Sequence, residues 1–349
     1  MNNTRFFVYA LLVLFFIGFG QISYAKEDIW TAKKDMPTPR AGSCSALING
    51  KIYVIGGAII AATPLSIIEE YDPIKDTWTC KADMPTPRFL ATAAVVDGKI
   101  YVIGGGQSLF TFLNTLEEYN PATDKWIKKA DMPTQRGILD AETINGKIYA
   151  IGGYNINAEG GMGIVEEYDP KMDTWTQKAD LNVPRYALST SIVDGKIYAI
   201  GGSQGPSVST LELYDPAADR WEIKKSMPTT REYLSTAVVD NKIYAFGGMN
   251  GNIAMDSINN VEMYDPETDT WTIRPKMPEP NLAFSCESVD QRIYIIGGES
   301  IFMFFGNNPL LPSVREYNPL GLPARSTISV SQQNKLATKW GTIKTSHLR

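Results

Sequence analysis

The sequence predicts an all-β fold, a six-bladed β-propeller whose ring is closed by a strand around Trp30. Three observations predict it. One short grammar recurs six times along the 349-residue chain: a Pro-containing link, two β-rich runs, a Gly-Gly pair, a variable stretch, then a Tyr, followed in five units by a Trp. The distance from each Trp to the second Gly of the next pair is 27 residues in all six units. Five Tyr residues are followed seven positions later by Trp, but Tyr317 is followed there by Ala324.

Each element has a local cause. In the second unit, VVDGKIYVI is two β-rich runs joined by Asp97-Gly98, a type I′ hairpin signal. The turn recurs as Asn49-Gly50, Asn145-Gly146, Asp194-Gly195 and Asp240-Asn241, with Asp290-Gln291 in the sixth unit. The glycine pairs are Gly56 and Gly57, Gly104 and Gly105, Gly152 and Gly153, Gly201 and Gly202, Gly247 and Gly248, and Gly297 and Gly298. Paired glycines allow positive φ and close backbone approach. The second hairpin, Y-D/N-P-x-x-D-x-W, joins Tyr71 to Trp78, Tyr119 to Trp126, Tyr168 to Trp175, Tyr214 to Trp221 and Tyr264 to Trp271. Its Pro pre-sets φ and its Asp residues can bond nearby backbone. Four short strands per unit of this length make a propeller blade.

Closure follows from the odd Trp. Trp30 has no blade before it, and the sixth unit has no fourth strand after Tyr317. If the strand around Trp30 supplies it, six Trp serve six blades and no edge is left unpaired. The rival, Trp340 in KLATKWGTIK, needs a long excursion from Pro319 and orphans Trp30.

These Gly-Gly, Tyr and Trp residues resemble the kelch repeat over nearly all of 27–319. The resemblance implies closure by an N-terminal strand and a ligand face formed by the links between blades and the links from strand two to strand three. Exported six-bladed kelch proteins similar to this chain include the sialic acid mutarotases.

The rest of the chain divides simply. Residues 1–25 read as a signal peptide: Arg5, an apolar run from Phe6 to Gly20, then small residues before cleavage after Ala25. The run is short for a membrane span. The propeller occupies 26–319, with 27 basic against 38 acidic residues, which argues against nucleic acid as a partner. The tail, 320–349, carries five basic residues and no acid, and its composition predicts a solvated, flexible end. Cys44, Cys80 and Cys286 are too few and too scattered for a disulfide framework, and are expected to be small buried apolar residues with free thiols. The expectation is a secreted, periplasmic or cell-surface monomer.

Function is expected where length varies. The interval from Gly-Gly to Tyr runs from 12 to 19 residues, so the variable loops on the link face are the candidate binding surface. The longest, ESIFMFFGNNPLLPS, holds the apolar run Ile301 to Phe305. Arg40, Arg88, Arg136, Arg185 and Arg231 sit just before strand one of five blades, with Asn281 in the sixth. As a ring they would hold anionic groups bidentately; as a repeated residue they better fit a scaffold role, tying loops to backbone carbonyls or acidic neighbours, because repetition tracks the scaffold more than the site. Asp140, Glu142 and Glu287 stand on inner strands where other units carry smaller residues. They line a wet channel, pair with Arg, or touch a polar ligand as acid and base. The Glu-Glu pairs at 69–70, 117–118 and 166–167 read as solvated edge charge.

Inventory removes several chemistries. The single His, His347, lies in the tail, so a histidine triad and multi-His zinc or copper sites are absent, including the copper site of galactose oxidase, a kelch enzyme. No cofactor or metal is expected. Two functions remain: a protein- or glycan-binding module using the variable-loop face, or a carbohydrate-modifying enzyme such as an N-acetylneuraminate mutarotase or epimerase, which needs only acid–base residues in a channel.

Overall fold

A computed structural model describes residues 28–59, 63–158, 160–251, 257–300 and 310–323. The expected signal peptide, the apolar run Ile301 to Phe305 and the basic tail from residue 324 onward, with Trp340, lie outside them. Among the described residues every regular element is a strand, and six four-stranded antiparallel sheets form the blades.

Blade one contains Cys44–Ile48, Lys51–Ile55, Ile68–Asp72 and Thr77–Lys81 from the channel outward. Blades two to five repeat this order. Their inner strands are Thr92–Val96, Asp140–Ile144, Ser189–Val193 and Ser235–Val239. Blade six is built from Ser285–Val289, Arg292–Ile296 and Val314–Asn318, and its outer strand is Ile29–Lys33. Trp30 pairs with Tyr317 in register and stacks on it at 4.6 Å. In blades one and two the corresponding Tyr71–Trp78 and Tyr119–Trp126 pairs stack at 4.9 and 5.0 Å. The N-terminal strand therefore closes the ring.

The expected turns explain the short loops. Both central residues of each inner hairpin have positive φ, as type I′ requires; in blade six even Gln291 adopts it, at 62°. The core lies between blades. Ile52, Val54 and Tyr71 of blade one pack with Tyr294 and Ile296 of blade six, and Trp78 closes over them. Where Trp is followed four residues later by a non-proline, that residue donates its N–H to an Asp of the next blade: Lys34 to Asp76 and Ala82 to Asp124, both at 2.9 Å. The same Asp accepts from the stacked Tyr, as Asp76 does from Tyr71 at 2.6 Å.

The glycine pairs serve blade contact. The N–H of Gly57 donates to the carbonyl of Arg88 in the next blade at 3.0 Å, and a Cβ at Gly56 would sit 2.5 Å from that oxygen. Only glycine allows both the φ of 60° and this approach.

Candidate functional site

The five arginines are not at a mouth. Arg40, Arg88, Arg136, Arg185 and Arg231 are 0–1% exposed. Each pairs with a glutamate of its own blade: Arg40 with Glu69 at 2.8 Å, Arg231 with Glu262 at 2.7 Å, and Arg88, Arg136 and Arg185 with Glu117, Glu166 and Glu212. Arg40 also donates to the carbonyl of Val54 at 3.0 Å. This corrects the expectation that the ring binds anions: a guanidinium sealed from solvent and already paired cannot take a ligand. Burial lowers the Arg231 pKa to about 10, against the pull of Glu262. Asn281 is buried as well and donates to the carbonyl of Gly297 at 2.8 Å.

The Glu-Glu pairs are corrected with them. Glu69, Glu117 and Glu166 are the arginine partners, and Glu70, Glu118 and Glu167 are also buried. Lys51 reaches Glu70, and Lys99 reaches Glu118, each at 2.6 Å. Cys80 departs from its expected burial because it lies on an outer edge strand and is exposed.

The three odd acids do come together. The inner strands enclose a central channel with a cavity of about 480 Å³, and Asp140, Glu142 and Glu287 line it. The blades follow one another round the ring in chain order, which sets blade three opposite blade six. Glu142 and Glu287 are both third residues of their inner strands, so they occupy the same level on opposing walls. Each leans on a hydroxyl of the following blade: Ser45 donates to Glu287 at 2.8 Å, and Thr190 bonds Glu142.

The next level repeats this polarity. The fourth residues are Thr143 and Ser288 in blades three and six, against Leu47, Val95, Ile192 and Val238 elsewhere. At this level the channel is polar on two opposing blades and aliphatic on the other four. Thr143 and Ser288 escaped the sequence reading, although aligning the fourth column would have found them.

Asp140 is tied down by four donors. It accepts from Thr92 Oγ1 at 3.0 Å, from the Ala141 and Thr190 amides at 2.9 and 2.7 Å, and from Thr190 Oγ1 at 3.0 Å. Burial pushes its pKa up while these donors pull it down. Glu142 has less support. Burial, then the charges of Asp140 and Glu287, raise it to about 8. Burial raises Glu287 to about 7, and Ser45 opposes this. The channel thus presents one desolvated carboxyl group held by four donors, its pKa still raised by burial, and two carboxyl groups that titrate near neutrality. Among the described residues lining it there is no Lys, Arg or His. Among the described residues no group of three His, Cys, Asp or Glu could hold a metal ion.

Four-stranded blades, Gly-Gly contacts and stacked Tyr–Trp pairs define a kelch-type β-propeller. The model of the Attractin/LZTR1 beta-propeller family matches residues 21–258, and the chain belongs to that family. The solved structure of YjhT is similar at TM-score 0.69 and 18% identity, covering 80% of this chain and 95% of that one. At that identity the likeness shows the fold alone. No curated protein matches the sequence.

Proposed function

We propose that this protein is an exported binding module that takes a small hydroxyl-rich ligand, a sugar or the end of a glycan, into its central channel from the variable-loop face. The carrying observation is the opposed pair Glu142 and Glu287, each supported by a neighbouring hydroxyl, in a cavity of about 480 Å³. Carboxyl groups and hydroxyls hold sugar hydroxyls well, and this volume lies within the range of small-ligand sites. The lining charge favours a neutral ligand over an anionic one. Export rests on the signal-peptide layout of residues 1–25. The test is a glycan array followed by calorimetry with the mature chain. Glu142→Gln and Glu287→Gln are each expected to weaken binding of a neutral glycan at least tenfold. Unchanged affinity in both variants would remove the channel from the reading.

One observation favours a second reading, a sugar mutarotase. Two carboxyls titrating near neutrality on opposite walls can act as acid and base. The base would take the proton of the anomeric hydroxyl while the acid protonates the ring oxygen. The ring C–O bond breaks, and reclosure on the other carbonyl face returns both protons. Polarimetry on freshly dissolved neutral hexoses and N-acetylneuraminate tests this. Faster equilibration that is lost in Glu142→Gln supports it, and the spontaneous rate with every sugar rejects it. The acidic lining makes the anionic N-acetylneuraminate the poorer candidate.

A further inference from the structure

At the link-face mouth of the channel the backbone forms a closed ring. Leu90 N–H donates to Gly42, Ile138 to Leu90, Ala187 to Ile138, Tyr233 to Ala187, Ala283 to Tyr233, and Gly42 back to Ala283, over 2.7–3.1 Å. All six residues have φ between 51° and 61°. That conformation suits glycine, and for a β-branched residue such as Ile138 it is a genuine outlier. Yet blade one alone uses glycine. The other five blades carry side chains in a strained backbone, and all six positions line the cavity.

Strain of this kind persists where the surroundings enforce it, and it clusters at functional sites. The hydrogen-bond ring enforces the backbone, but it requires no side chain. The residues are also graded in size: Leu90, Ile138 and Tyr233 are large and half-buried, while Gly42, Ala187 and Ala283 are small. Leu90 lies over the neighbouring blade, its Cδ2 3.2 Å from where a Cβ on Gly42 would be. We infer that Leu90, Ile138 and Tyr233 form a collar that sets the size of molecule admitted to the channel from the variable-loop face. This rests on the channel being the binding site, and names the residues that determine its specificity.

The channel carries its own reporters, since Cys44 and Cys286 line it below the collar. In a Cys80→Ser background, which removes the exposed thiol, each is labelled with methyl methanethiosulfonate and with a maleimide bearing a bulky fluorophore. Removing the collar (L90G, I138G and Y233G together) is expected to raise the bulky reagent's rate at least tenfold and to change the small reagent's rate less than twofold. Narrowing it with Ala283→Leu, a side chain already accommodated in this conformation at Leu90, is expected to slow the small reagent severalfold. A bulky-reagent rate unchanged in a folded collar variant overturns the inference. So does acceleration by Val238→Ala, deeper in the channel, that matches the collar variant. If the collar variant does not fold, Ala283→Leu decides alone, and an unchanged small-reagent rate rejects the collar. Labelling needs no ligand, so failure of glycan binding with a size-dependent collar would count against the proposed function and not against the collar.

Discussion

Arg315 bonds Glu279 at 3.0 Å across blade six, reversing the polarity of the tie used by every other blade. In blades one to five a glutamate of strand three accepts from the link arginine. In blade six the strand-three position is Arg315, the arginine position is Asn281, and the acid has moved to Glu279, where blade one has Thr38. Arg, Glu and Thr have become Asn, Arg and Glu together, so the link is still fastened to the strand. Ser313 adds a bond to Glu279 at 3.0 Å.

The buried arginines are therefore expected to govern stability. Arg136→Ala leaves Glu166 buried beside lost partners, which costs about 3–5 kcal/mol. Replacing both, Arg136→Met with Glu166→Leu, should recover most of that. Urea midpoints of the two variants check this. A single variant as stable as wild type would show the pair to be idle.

Closure at Trp30 gives a second expectation. Trp30→Ala removes an aromatic plate packed on Tyr317 and Phe246, at a cost on the order of 3–5 kcal/mol. Its urea midpoint should fall well below that of wild type, and an unshifted midpoint would refute the closure energetics.

Stability should also fall toward alkaline pH. Glu142 at about 8 and Glu287 at about 7 lie above the model-peptide value of about 4.3. Between these values the folded chain holds protons that the unfolded chain has released. Their contribution is complete below about pH 4.3, falls progressively above it, and is fully lost once pH has risen through 7 and 8. Midpoints measured from pH 5 to 9 should decline, and Glu142→Gln with Glu287→Gln should flatten the decline. An equal slope in the double variant would assign the effect elsewhere. Glu70 works on the opposite limb: burial opposes its ionisation, but Lys51, Tyr53 and Lys81 hold its pKa near 2, so its contribution is lost only in strong acid.

The thiols should remain free. Cys44 packs toward blade two beside Ala93, and Cys286 toward blade five with Ala237, so the two face away from each other across the seam. Burial pushes the Cys44 thiol to about 12 and slows its reactions, so the exposed Cys80 reacts first. Mass spectrometry of non-reduced protein should show no 44–286 bridge; finding one would contradict this packing.

The sequence by itself determined the blades, their number and the closing strand. These rest on local chemistry: Asp-Gly and Asn-Gly turns, glycine pairs at contact points, and a Tyr–Trp spacing that only a hairpin satisfies. It also marked Asp140, Glu142 and Glu287 as exceptions, because a repeat supplies its own standard of comparison. The tertiary structure decided what each repeated charge faces. Arg136 and Glu166 are 30 residues apart, and nothing in their local pattern says that one is sealed against the other. It likewise decided that Glu142 and Glu287 stand on opposite walls, since that depends on blades three and six being diametric in a closed ring. The left-handed backbone at Leu90, Ile138 and Tyr233 had no sequence signal at all. Those residue types disfavour it, and only hydrogen bonds from blade to blade around the whole ring hold it in place.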